Sequence, residues 1–328
     1  MAISMSTTLM DIAKRTDKDG KILPIIETLA QDNEILQDML WQECNQGTNH
    51  VTTVRTGLPT VFWRKYNQGV PSSKSTTKKV TDSTAMLEAY SNVDKKLADI
   101  QTDARAYRQS EDVAFLESMN QKVATTVFYG SAANSEEFFG LTERYNDTTA
   151  ENSKNILDGG GSGSTNTSIW LVGWGDRSIH GLYPRNSKAG FTQEDKGVQM
   201  VSDANSQQFD AYVTKYGWDP GMSVRDWRYA VRIANVDVPA LKSGTGAADL
   251  VTLMIKARNL IPRNRAGIRL AFYCREEVFT RLELQLVAKT NAVLSWRELQ
   301  GQQVLSFGDI PIRKVDALLA TEAKVTFA

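Results

Sequence analysis

The chain reads as an α+β protein, and three features of the sequence predict this. A stripe of apolar residues at helical spacing runs for about 26 residues over 103–128. Ahead of it, the segment 44–81 is built from β-formers broken by glycine and proline. Behind it, from residue 140, short strand patterns alternate irregularly with two shorter helices.

The elements follow in order. Residues 7–41 read as helix interrupted by a turn. Thr7 and Thr8 can cap Leu9 to Ala13, and Asp17-Lys18-Asp19-Gly20 is turn chemistry. Ile22, Ile25, Ile26, Leu29, Leu36 and Leu40 then keep mostly helical spacing, with Pro24 placed near a first turn. So narrow a stripe forms no core of its own and predicts an arm that docks elsewhere.

From Cys44 to Thr81 there is no aspartate or glutamate, while Arg55, Arg64, Lys65, Lys74, Lys78 and Lys79 are all present. Val51, Thr53, Val61, Phe62 and Trp63 favour extended backbone; Gly57, Pro59, Gly69 and Pro71 punctuate it. The pattern predicts a long two-stranded excursion. An isolated hairpin is marginal in water, so this one needs a partner surface. Composition leaves two readings open, an edge hairpin on its own domain or a loop reaching another copy.

A short charged helix is expected over 92–100, then the long helix, capped by Thr102 or Asp103 and ending before Gly130. Val113, Leu116, Met119, Val123 and Val127 form its stripe. At 1.5 Å per residue it spans about 39 Å, enough for the backbone of a domain. The glycine-rich stretch 158–165 is a flexible loop. Residues 169–174, a turn at 175–177 and 178–183 suggest a hairpin. Further strands are expected at 212–218, 227–236 and 267–274, helices at 247–260 and 276–288, and extended chain over 310–325.

Composition narrows the function. Among 328 residues, 38 basic side chains balance 38 acidic ones, against the basic excess of a dedicated nucleic-acid binder. A chain without net charge also packs against its own copies with little long-range repulsion. The two cysteines, Cys44 and Cys274, are too few and too separated for a disulfide framework or zinc site, and are expected as reduced thiols. No apolar run of about 18 residues exists, so no membrane span is expected.

Catalytic signals are lacking. The two histidines, His50 and His180, stand apart from any serine–acid or cysteine pattern. The glycine-rich loop lacks the Gly-Lys-Ser/Thr ending of a phosphate loop. Asp17 and Asp19 resemble the start of a calcium loop, but the spacing to Gly20 is wrong and Thr28 stands where a glutamate is required. Glu276 and Glu277 open a helix, where acids suit the dipole. Phe62-Trp63-Arg64-Lys65-Tyr66 has the aromatic and cationic content of a single-strand grip, and so do Trp227 and Arg228, yet both lie in strand patterns of a neutral chain. No enzyme activity, metal or cofactor is expected.

The order of parts (helical arm, long extended loop, long helix, mixed domain, returning C-terminal strand) resembles the major capsid proteins of tailed phages with the Hong Kong 97 fold. The stretches Thr53-Val-Arg-Thr-Gly-Leu-Pro-Thr60 with Trp63-Arg64-Lys65, and Ser110-Glu-Asp112 with Phe115-Leu-Glu-Ser-Met-Asn120, are similar to those of short-tailed phages of the epsilon15 and Bordetella-phage type. So are Ser168-Ile-Trp-Leu171, Ser223-Val-Arg-Asp-Trp-Arg228 and Ile310-Pro-Ile-Arg313 with Asp316.

The resemblance implies an N-terminal arm (1–43), an extended loop (44–81), and a peripheral domain (82–139) with its spine helix at 103–128. It further implies an axial domain over roughly 140–265 and a return through both domains (266–328). It implies hexamers and pentamers of an icosahedral head around double-stranded DNA, located in the virion and assembled in the host cytoplasm. An encapsulin-like compartment or a tail structural protein is the alternative. The start of the chain leaves no room for a cleavable scaffolding domain, so a separate scaffolding protein and a portal are expected, with a cement or decoration protein possible and packaged DNA touched weakly. The arm's cations would meet carboxylates such as Glu111, Asp112 or Glu117 of a neighbour and set register, each exposed pair contributing about 0–1 kcal/mol. Phe62, Trp63 and Tyr66, large and rigid, would supply the hold.

Overall fold

The computed structural model describes residues 31–100, 104–131, 133–134, 136–203, 205–244, 246–287, 294–299 and 302–327. In chain order the first elements are α1 (Ile35–Asp38), β1 (Trp41–Glu43), β2 (Asn49–Gly57), β3 (Thr76–Ser83), β4 (Leu87–Asp94), α2 (Lys95–Ile100), α3 (Ala104–Tyr129) and α4 (Leu141–Arg144). Next come β5 (Ile156–Asp158), β6 (Asn166–Trp174), β7 (Ile179–Tyr183), β8 (Thr192–Ser202), β9 (Gln208–Trp218), β10 (Gly221–Val224) and β11 (Ala230–Asp237). The chain continues through α5 (Val238–Ser243), α6 (Leu250–Leu260), β12 (Arg269–Cys274), α7 (Glu276–Val287), β13 (Leu294–Leu299), β14 (Gln302–Phe307) and β15 (Ile310–Lys314).

The core is organised by β6, buried along its whole length. It lies antiparallel between β11 and β12 in a ten-stranded sheet, and β12 continues parallel to β15. Alternation along β6 feeds two cores. Trp170, Val172 and Trp174 face Ala124, Val127 and Phe128 of α3 together with Tyr145 and Tyr273. Ile169 and Leu171 face the other side, against Leu241 of α5, Met254 of α6, and Val278 and Leu282 of α7. A strand covered on both faces has no polar side to show, which is why its residues 169–174 are all apolar or glycine. Trp170 has no exposed surface, and truncating such a residue to alanine costs about 3–5 kcal/mol.

The long helix forms as expected, but it leaves the core part-way along. Met119, Val123 and Val127 are buried, whereas Val113 and Leu116 are exposed. Its N-terminal half packs through Tyr107 onto Val93 and Ala98, beside a three-stranded sheet of order β4-β9-β8. The helix ends at Gly130, whose amide returns to the Thr126 carbonyl at 2.8 Å. Any Cβ there would lie 2.1 Å from the Phe138 carbonyl oxygen, so only glycine lets the chain double back so tightly.

Several expectations are corrected. The helix expected up to Trp41 is a single turn at α1, followed by a strand; residues 1–30, including the Asp17–Asp19 turn, lie outside the described residues. The turn stops at Met39, whose backbone is extended (φ −66°, ψ 126°), and the Asp38 carboxylate accepts from Tyr273 Oη at 2.8 Å and pairs with Arg313. Residues 92–94 belong to β4, with the short helix starting at Lys95. The hairpin expected over 169–183 does not form. β7 meets β6 in parallel at one position only, and pairs instead antiparallel with β10 and parallel with β1. The extended C-terminal stretch is a strand only over Ile310–Lys314. The strands β8, β13 and β14 lacked a sequence signal. Glu276 and Glu277 do open α7, where Glu277 pairs with Arg275 at 2.7 Å. Cys44 and Cys274 are both buried and unbridged; burial pushes the Cys44 thiol up to about 11 and Cys274 higher still.

Candidate interaction surface

β2 and β3 form an antiparallel ribbon from Asn49↔Ser83 to Gly57↔Thr76, separate from both larger sheets. A two-stranded ribbon has little to hold it, so its position depends on its root. There the Asn45 side chain clamps the Val51 backbone, donating to its carbonyl at 2.7 Å and accepting from its amide at 2.9 Å. Asp82, the first acid after the acid-free run, is buried; it accepts from Arg144 Nη2 and Ser223 Oγ, both at 2.8 Å. On the other strand His50 Nε2 lies 2.7 Å from Arg225 Nη2, and its ring meets His180 edge to face. Burial, then the Arg225 charge, depresses both imidazoles, His180 to about 4. Neutral rings are what an arginine neighbour at this distance requires.

The far end is the opposite in character. Residues 58–75 carry no strand, and turn at Asn67 in the left-handed region (φ 61°). Ser73 Oγ donating to the Thr60 carbonyl at 2.6 Å bridges the two sides. Val61, Trp63 and Tyr66 are 87%, 104% and 98% exposed, and Leu58, Phe62 and Val70 are also exposed. Scattered apolar residues on a surface are ordinary, but a contiguous set on a protruding loop marks an interaction site. Among the described residues none of Arg55, Arg64, Lys65, Lys74, Lys78 and Lys79 forms an ion pair. The structure thus gathers Phe62, Trp63, Arg64, Lys65 and Tyr66 at one end, with Lys74 following, and spreads Arg55, Lys78 and Lys79 along the ribbon. Arg55 lines a cleft of about 760 Å³ between β2 and the segment Asp226 to Arg228.

The carboxylates expected to receive these cations have partners within the chain. Asp112 accepts from Tyr216 Oη and from Gln193 Nε2. Glu117 accepts from Gln121 Nε2 at 2.7 Å and from the Gln31 amide at 2.9 Å. The Glu111 side chain lies outside the described residues. Among the described residues no group of three or more His, Cys, Asp or Glu side chains could hold a metal, and no helix is long and apolar enough to cross a membrane.

The model of the major capsid protein GP7 family matches residues 17–326. The chain belongs to this family. The GP7-family assignment is matched in three dimensions. The capsid structure of bacteriophage epsilon15 superimposes with a TM-score of 0.79 at 38% identity, covering 99% of this chain and 100% of that one. The fold is therefore the Hong Kong 97 type, and the protein is a shell subunit of a phage head. Weaker likenesses carry no argument. They include the SrpI encapsulin complex of Synechococcus elongatus (TM-score 0.44, 11% identity, 70% of this chain and 96% of that) and a gene-transfer-agent capsid (0.42, 8%, 67% and 93%). No curated protein sequence matches.

The tip is legible in the sequence; the root is not. Asp82 carried a signal, as the residue that ends the acid-free run. Nothing local linked His50 to His180, or Asp82 to Arg144.

Proposed function

We propose that each copy lays its β2–β3 ribbon over a neighbouring copy, and that repetition of this contact builds hexamers and pentamers into a closed icosahedral head around double-stranded DNA. One observation carries the reading: a cluster of exposed large apolar side chains, with cations that form no ion pair among the described residues, stands at the end of a ribbon whose root is fixed. Aromatics of this kind supply the binding energy of interfaces, and rim charges supply orientation.

In this reading α3 with the β4-β9-β8 sheet is the peripheral domain, so that the hairpin 192–218 belongs with the spine helix. The ten-stranded sheet with α5, α6 and α7 forms the axial domain. The role is structural and not catalytic. A separate scaffolding protein and a portal act in assembly, a cement protein strengthens the finished shell, and the neutral chain holds DNA loosely enough for it to slide.

Reversal of charge at Arg64→Glu with Lys65→Glu tests the loop's part. The expected product is a folded subunit that assembles poorly; shells of normal number and shape by electron microscopy would refute it.

A further inference from the structure

Given that reading, the tip needs a receiving surface on the neighbour, and the structure offers one with the right size, lining and charge. Between α3 and the start of β4 lies a notch of about 240 Å³, room for one large aromatic side chain. Leu87, Val123 and Phe138 form its apolar walls and floor. Met86 stands at its mouth, 78% exposed and flexible enough to close over a guest. Glu136 and Glu137 rim it. Lys122 is already held by Glu137 at 2.7 Å, which leaves the exposed Glu136 as the uncompensated charge.

We infer that this notch receives the Trp63 side chain of a second copy, with Arg64 and Lys65 of that copy meeting Glu136 and Glu137. The inference rests on the intersubunit reading of the ribbon and adds its address. Three observations converge on it. The tip is acid-free and cationic where the rim is acidic. Trp63, wholly exposed, is the side chain with most to gain from an apolar slot. The chain's own tip cannot fill the notch. Ala85, which lines it, lies two residues past the end of β3 at the ribbon root, where its amide donates to the Pro220 carbonyl at 2.9 Å. A nine-residue strand holds the tip about 30 Å from that root. A contact from the tip of one copy to the root of the next is head-to-tail, and such contacts close into rings when the rotation permits.

Zero-length carbodiimide coupling of assembled wild-type shells, followed by peptide mapping, tests the address. The expected result is an amide between Lys65 and Glu136 or Glu137, found in the ladder of multimers and missing from dispersed subunits. Shells that cross-link elsewhere but not there would overturn it, as would the same link in dispersed subunits. If shells assembled with the scaffolding protein yield no link between copies from any lysine of the loop, the intersubunit reading itself fails and takes this address with it. A reciprocal swap adds a second arm. Glu136→Lys should weaken each contact by up to about fivefold and cut shell yield, and Lys65→Glu in the same chain should restore it. Wild-type yield from Glu136→Lys alone would also count against the assignment.

Discussion

His50 and His180, the chain's two histidines, meet edge to face at the root of the extended ribbon, with ring centroids 5.6 Å apart and planes at 82°. Arg225 approaches from the β10 side, its Nη2 2.7 Å from His50, while Asp82 and Asp176 supply the nearest negative charge. Two imidazoles and a guanidinium share this buried space only while the imidazoles stay neutral.

Acid should therefore loosen the fold through His180. Its pKa is about 4 in the folded chain against about 6.5 unfolded, so between these values the unfolded chain binds the extra proton. Stability from this source is complete above pH 6.5 and is lost as pH falls towards 4, to the extent of about 3 kcal/mol. Urea unfolding at pH 7 and pH 4.5 should show this loss in the wild type and a smaller one in His180→Phe. Equal losses in both would remove His180 from the explanation.

Arg232 and Glu322 make the buried ion pair that ties the C-terminal tail to the main sheet. They lie 2.9 Å apart, with side chains 2% and 4% exposed. Arg232 also donates to Ser168 Oγ and the Tyr145 carbonyl, while Glu322 accepts from Ser168 Oγ and Tyr129 Oη. Removing one partner strands a charge, so Glu322→Ala should cost about 3–5 kcal/mol. Replacing both, Arg232→Met with Glu322→Leu, should cost less than that single change. Denaturant titration of the three chains decides it.

Asp82 anchors the ribbon by accepting from Arg144 on one side and Ser223 on the other. With Asp82→Ala the root loses both. Amide exchange in β2 and β3 should accelerate by at least about tenfold, while exchange in β6 stays unchanged. Parallel acceleration in both strands and sheet would mean that the ribbon and core open together.

Much of the fold was legible because it is written locally. β6 shows its two-sided burial as an unbroken apolar run over 169–174, and α3 shows its stripe at steps of three and four. The ribbon shows itself through β-branched residues and missing acids. β8 was invisible for an equally physical reason: it is the edge of a thin sheet, exposed along nearly its full length, and Gln193, Glu194, Asp195 and Lys196 have no apolar face to alternate with. The pairing of β7 with β10 instead of β6 is set by tertiary contacts, as is the meeting of His50 with His180 across 130 positions. The stripe on α3 also misled in part, since periodicity does not say that Val113 and Leu116 lie beyond the core.

The claim that the ribbon tip holds one copy to another is tested most directly by Trp63→Ala combined with Tyr66→Ala. Both side chains are fully exposed in the single chain, so subunit stability should stay within about 0.5 kcal/mol of wild type. Shell yield, measured by sedimentation and electron microscopy, should fall sharply. Intact shells at wild-type yield from this variant would contradict the claim.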